Sequence, residues 1–162
     1  MITLTKTAVH EAAFISSCLN GKSERFLLQC GYDSRLFVMP VTDAQICSFM
    51  LARPDSYFFS IYDGTSIAGS CELTLPCSGR KRVCTLMRFV IAEQYRGRGI
   101  GSSALAELSH YAFTILEADI LRLFVYQFNQ AAVHCYAKAG FTVKAVYSRD
   151  DGNTVLQMEK RL

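Results

Sequence analysis

Met87-Arg88-Phe89-Val90-Ile91-Ala92-Glu93-Gln94-Tyr95-Arg96-Gly97-Arg98-Gly99-Ile100-Gly101-Ser102-Ser103-Ala104 changes character twice within eighteen residues. It opens as an apolar run, Phe89 to Ala92, with the β-branched and aromatic content of a strand covered on both faces. It then turns polar, with glycines at 97, 99 and 101. From Ser102 a helical pattern sets in, its apolar positions being Ile100, Ala104, Leu105, Leu108, Ala112, Ile115 and Leu116. A strand, a glycine loop and a helix start together form an anion cradle. The first amides of a helix have no partners inside it, and the helix dipole adds roughly half a positive charge there. Glycine lets a diphosphate approach those amides, and Arg96 and Arg98 add two formal charges beside them.

Several diphosphate motifs compete for such a loop. A P-loop requires Lys-Ser or Lys-Thr after the last glycine, and neither is present. A dinucleotide fingerprint requires G-x-G-x-x-G; Gly97-Arg98-Gly99 supplies its first half, but Ser102 stands at the third glycine. Asp119 lies about where that fingerprint places its acidic residue, which keeps a nucleotide-binding α/β domain open as an alternative. Gln94-x-x-Gly97-x-Gly99 instead resembles the acetyl-CoA signature R/Q-x-x-G-x-G/A of the GNAT N-acetyltransferases.

A second constellation points the same way. Ile120 to Tyr126 reads as another buried strand, and after it comes Asn129-x-x-Ala132-x-x-x-Tyr136-x-Lys138-x-Gly140-Phe141. Asn129 suits a helix N-cap, Gly140 a helix stop, and Ala132, Val133, Tyr136 and Ala139 one apolar stripe. This order and spacing resemble the second half of the GNAT core. The resemblance spans roughly residues 66–141.

The rest of the chain fits one domain over residues 1–162. Apolar residues are 51%, charged ones 19%, and the net charge is +3, too small to argue for nucleic acid. The triplet Arg80-Lys81-Arg82 reads as a solvated turn. Seven cysteines (Cys18, Cys30, Cys47, Cys71, Cys77, Cys84, Cys135) include no C-x-x-C pair, so they read as reduced thiols in a cytoplasmic protein rather than as metal ligands. No apolar run approaches the ~20 residues that span a bilayer.

In order, residues 1–6 alternate as an edge strand, and Thr7 is placed to cap a helix ending at Asn20-Gly21. Arg25–Cys30 and Thr42–Leu51 have helical character. Tyr57–Tyr62 and Ser66–Leu75 form a hairpin about Asp63-Gly64. A turn at Ser78-Gly79 then leads to the strand Val83–Ala92. Val143–Arg149 and Thr154–Lys160 make a closing hairpin. The expected architecture is α/β, a mixed sheet of about seven strands flanked by about four helices. That is the GNAT arrangement.

The resemblance implies an acyltransferase that moves acetyl from acetyl-CoA to a primary amine of a small molecule or protein N-terminus, without a metal. It implies that the strands ending at Ile91 and starting at Ile120 splay to admit the cofactor. The cofactor residues carried over are Phe89, Val90, Ile91, Gln94, Arg96, Gly97, Arg98, Gly99, Ile100, Gly101, Ser102, Asn129, Ala132 and Tyr136. Tyr136 matches the tyrosine that protonates the leaving thiolate; a phenol of pKa ~10 can do so at neutral pH. Many relatives carry a glutamate before the glycine loop. Val83–Ala92 has none, so Glu72 on the preceding strand is the nearest candidate base, acting through a water. The missing carboxylate leaves an inactive CoA-binding module as a second alternative. The resemblance allows a homodimer, gives no reason to expect a membrane partner, and does not identify the amine.

Overall fold

One strand sets where the cleft opens. In the computed structural model, which describes residues 1–32, 35–75 and 81–162, β4 (Val83–Ile91) pairs in parallel with β5 (Ile120–Tyr126) only from Val83↔Ile120 to Leu86↔Leu123. Beyond Leu86 the two strands part. The other strands are β1 (Ile2–Lys6), β2 (Ser56–Asp63), β3 (Ser66–Thr74), β6 (Thr142–Ser148) and β7 (Thr154–Arg161). Together they form a seven-stranded sheet of order β1-β2-β3-β4-β5-β7-β6, antiparallel except at β4–β5. This is the expected mixed α/β sheet, with the 1–6 segment at its edge.

The parting has a cause in the register. On its other side β4 pairs with β3 as Ser70↔Val90 and then Glu72↔Met87, so Arg88 and Phe89 together oppose Cys71. That is a β-bulge, and Arg88 within it has φ +50°, a left-handed conformation uncommon for a side-chain-bearing residue. A one-residue slip exchanges faces. Before the bulge Cys84 and Leu86 join the core under the later helices; after it Phe89 and Ile91 pack there, while Val90 turns to the opposite core.

Helices cover both faces. On one, α4 (Ile100–His110) and α5 (Gln130–Lys138) pack over Ile61, Leu73, Leu121, Leu123 and Met158. On the other, α1 (Ala12–Leu19), α2 (Glu24–Gln29) and α3 (Asp43–Leu51) enclose Ile15, Leu19, Leu27, Ile46 and Val90. Each fully buried leucine contributes roughly 1.5–3 kcal/mol of transfer free energy. Among the described residues no helix is long and apolar enough to cross a membrane.

Several local expectations need correction. Thr7 does not cap the first helix: a 3-10 turn over Val9–Glu11 precedes α1, and the buried Glu11 carboxylate accepts the Ala8 amide and the Tyr62 and Ser60 hydroxyls. The helical character expected at Arg25–Cys30 is α2, capped by Ser23, and α3 is capped by Thr42 as expected, so that the described residues hold five α-helices where about four were expected. The α4 stripe loses phase because α4 runs into a π-turn at Tyr111–Ile115. The extra residue sends Ile115 outward, 60% exposed, and leaves Leu116 buried. The turn expected at Ser78-Gly79, together with Cys77 and Arg80, lies outside the described residues.

Gly69 shows how closely β3 and β4 approach at the bulge. A methyl there would lie 2.4 Å from the Val90 carbonyl oxygen and 2.8 Å from Ile91 Cδ1. Gly69→Ala therefore forces backbone to move and is expected to lower stability by about 1–3 kcal/mol. Urea unfolding measures this; a midpoint equal to that of the parent would show that the two strands yield freely.

Candidate active site

A cavity of about 430 Å³ occupies the parting of β4 and β5. Its walls come from the end of β4, the glycine loop, the first turn of α4, Asn129 with the start of α5, and α2. Phe89, Val90, Ile91, Arg96, Gly97, Gly99, Ile100, Gly101, Ser102, Asn129, Ala132 and Tyr136 all line it. The structure thus brings together twelve of the fourteen residues expected to contact a cofactor. Gln94 and Arg98 do not line it. Gln94 faces a smaller cavity of about 190 Å³ beside Phe14, Cys18 and Lys22, and the Arg98 guanidinium lies 5.9 Å from the Tyr95 ring.

The loop meets the requirements of an anion cradle. Gly97 and Gly99 have φ +72° and +76°, which is why a side chain is unwelcome there. Gly99 is the N-cap of α4 with no side-chain cap, and the first bonded amide is Ser103, which donates to Gly99 O at 3.1 Å. The amides of Ile100, Gly101 and Ser102 therefore have no intrahelical acceptor. A Cβ on Gly101 would touch Cys135 Sγ at 3.6 Å and Phe89 and Ile91 at 3.9 Å, filling part of the cradle. These residues fit a bound diphosphate.

The strand supplies a second row of donors. Ala92 N–H bonds to Ala68 O on the β3 side, so by strand alternation the amides of Phe89 and Ile91 point to the open edge. Ile91 O faces that way too, accepting Arg96 Nε at 2.8 Å. Arg96 is thereby folded back on the strand, 5.2 Å from the Phe26 ring.

Across the cavity, Asn129 Oδ1 accepts the Ala132 amide at 3.3 Å and starts α5. About two turns on, Tyr136 packs its ring 6.3 Å from Phe89 and 6.0 Å from Phe141. Burial pushes its phenol well above the usual tyrosine value, so it holds its proton throughout the neutral range. Cys135 also lines the cavity, its Sγ 3.7 Å from Ser102 Oγ.

Glu72 is placed elsewhere. It does not line the cavity and is fully buried, ion-paired with Arg88 and accepting from Ser56 Oγ at 2.6 Å and Thr74 Oγ1 at 3.1 Å. A carboxylate so occupied is poorly suited to collect a proton from an amine, which argues against the role expected for it from sequence. Asp119 is placed against a dinucleotide site: its carboxylate accepts the Arg82 amide at 2.8 Å, at the end of β5 remote from the glycine loop.

The sequence profile of the Acetyltransferase (GNAT) family matches residues 18–141. This chain belongs to that family. Spermidine N(1)-acetyltransferase of Escherichia coli (strain K12) is 35% identical over 57 residues, which are 35% of this chain and 31% of that protein. The match spans about a third of that relative's length. Among solved structures, spermidine N-acetyltransferase from Vibrio cholerae in complex with CoA and spermine superposes with a TM-score of 0.81 at 19% identity, covering 99% of this chain and 95% of that one. Aminoglycoside acetyltransferase AAC(6')-Ib in complex with coenzyme A gives 0.78 at 19% identity with the same coverage. These likenesses establish the GNAT fold.

Within this GNAT fold, sequence reasoning passed over Phe26, Gln29, Cys30, Tyr95, Ala131 and Cys135 as cavity residues. Tyr95, Ala131 and Cys135 sit inside the two motifs and were within reach of a residue-by-residue reading. Phe26, Gln29 and Cys30 come from α2, which no motif links to the loop; only the fold brings them in. Burial pushes the Cys30 thiol up to about 12. At pH 8 roughly one such thiol in ten thousand is ionised, and the thiolate is the reactive form. Native-state alkylation at pH 8, followed by peptide mass spectrometry, is expected to leave Cys30 unmodified while the unfolded chain labels fully. Labelling of Cys30 at the rate of a free cysteine would contradict its placement.

Proposed function

We propose that this chain is an acetyl-CoA-dependent N-acetyltransferase that transfers acetyl to a primary amine by direct attack. One observation carries the reading: the free amides of the first turn of α4, the open edge of β4 and the Tyr136 phenol converge on a single cavity. Amides 100–102 take the diphosphate, and the amides of Phe89 and Ile91 take the polar groups of the pantetheine arm and the acyl carbonyl. Acetyl-CoA supplies an activated acyl thioester, so no metal is needed.

Proton handling follows from what surrounds the cavity. Tyr136 Oη is protonated in the neutral range and can pass that proton to a departing thiolate. The phenolate then takes up the proton that the attacking amine sheds, so that one proton moves from nitrogen to sulfur overall. Among the described residues no carboxylate or imidazole lines the cavity, and on this reading the acceptor arrives as the neutral amine. At pH 7 this costs about 1 kcal/mol for an α-amine and about 4–5 kcal/mol for a lysine-like amine. We assign Glu72 to holding Arg88 rather than to proton abstraction. The acceptor is a small-molecule amine or a protein N-terminus. The spermidine acetyltransferases among its relatives make polyamines part of the panel to be tried, beside peptide α-amines, amino acids and aminoglycosides.

Tyr136→Phe tests the reading on whichever amine that panel identifies. The ring and its packing stay, the transferable proton goes, and kcat at pH 7 is expected to fall by about 10²–10⁴ with acetyl-CoA affinity little changed. The deficit should narrow towards pH 9, where a thiolate of pKa near ~8.5 departs unaided. Parental kcat at pH 7 would make Tyr136 a packing residue.

A further inference from the structure

Arg88 and Glu72 are absorbed neither by the cavity nor by either motif, yet both are buried charges. Glu72 is 0% exposed and Arg88 6%. They form an ion pair, and the guanidinium is boxed by aromatic rings, 4.6 Å from Phe49 and 5.8 Å from Tyr32. Ser56 and Thr74 hold the carboxylate from the far side. Arg88 Nε, buried and without a partner among the described residues, lies here as well. A buried pair is weak evidence for stability, because apolar residues of similar size often serve as well. This one also holds Arg88 at φ +50°, a conformation that glycine adopts without strain.

The position explains why such an arrangement is kept. Glu72 sits opposite Met87, on the last β3–β4 pair before the bulge, and Arg88 is the first residue inside it. The ion pair ties that residue to β3 through its side chain, where backbone pairing is interrupted. The next residues, Phe89 to Ile91, line the cavity, and the amides of Phe89 and Ile91 lie at its open edge.

We propose that the Glu72–Arg88 pair is a positioning device: by fixing the bulge it sets the rotation of β4 that aims the Phe89 and Ile91 amides into the cavity. It acts through those amides and touches no reacting atom. The inference rests on the cofactor reading above. Two variants probe it. Glu72→Gln keeps the shape and the hydroxyl contacts but removes the charge. Arg88→Gly keeps the positive φ accessible while removing the guanidinium, and leaves room for a small guanidinium ion to rebind beside Glu72.

The measurement is acetyl-CoA affinity by titration calorimetry, together with kcat and KM, on variants that melt cooperatively, in the absence and presence of millimolar methylguanidinium. For Glu72→Gln we expect at least a tenfold loss of acetyl-CoA affinity. For Arg88→Gly we expect a similar loss that methylguanidinium partly reverses without affecting the parent. Folded variants that bind acetyl-CoA like the parent, with or without methylguanidinium, would overturn the proposal and leave the pair as packing only. If Arg88→Gly does not fold, Glu72→Gln alone decides between these results. A folded parent that fails to bind acetyl-CoA overturns the cofactor reading, and this inference with it. A parent that binds while both variants keep its affinity overturns the positioning role alone.

Discussion

Parallel pairing between β4 and β5 ends at Leu86 and Leu123, and most of what this molecule can do depends on that interruption. Had the ladder continued, the backbone groups of Phe89 and Ile91 would have been spent on β5, and the space between the strands would have closed. Instead the bulge at Arg88 turns β4, exchanging the faces of every residue after it. One slip in register opens the cavity, frees a row of donors, and swings Phe89 to within 6.3 Å of Tyr136. The glycine loop and the first turn of α4 then follow directly from where β4 ends.

The two sides of the cavity use different physics. On the α4 side the chain offers backbone amides and a helix dipole, which suit a doubly charged anion and need no side chain. On the α5 side it offers a buried phenol whose proton is held tightly because its charged form is poorly solvated. Arg96, which a charge count would assign to the anion, bonds to Ile91 O and helps hold the loop against the strand. The site therefore relies on oriented dipoles more than on formal charge.

Much of this was legible in the sequence, and for local reasons. The buried-strand pattern of Ile120–Tyr126, the glycines at 97, 99 and 101, and the Asn129–Gly140 span are short-range signals. They located both motifs and twelve of the cavity residues. What the sequence did not reveal depends on contacts across the sheet. Glu72 read as a candidate base because a strand position says nothing of burial; only the register puts Arg88 beside it. The contribution of α2 was hidden because Phe26 and Cys30 reach the cavity from about 70 residues before the loop. The π-turn at Tyr111–Ile115 shifted an apolar stripe that looked continuous when read at a helical period.

The central claim is that one cavity, framed by the open edge of β4 and the first turn of α4, receives acetyl-CoA. Backbone amide NMR with added acetyl-CoA tests it most directly. The account predicts that the largest shift changes fall on Phe89, Ile91 and Gly97 to Ser102, with a second group from Asn129 to Tyr136. Changes centred instead on the cavity beside Cys47, Met50 and Pro54, or none at saturating ligand, would contradict it.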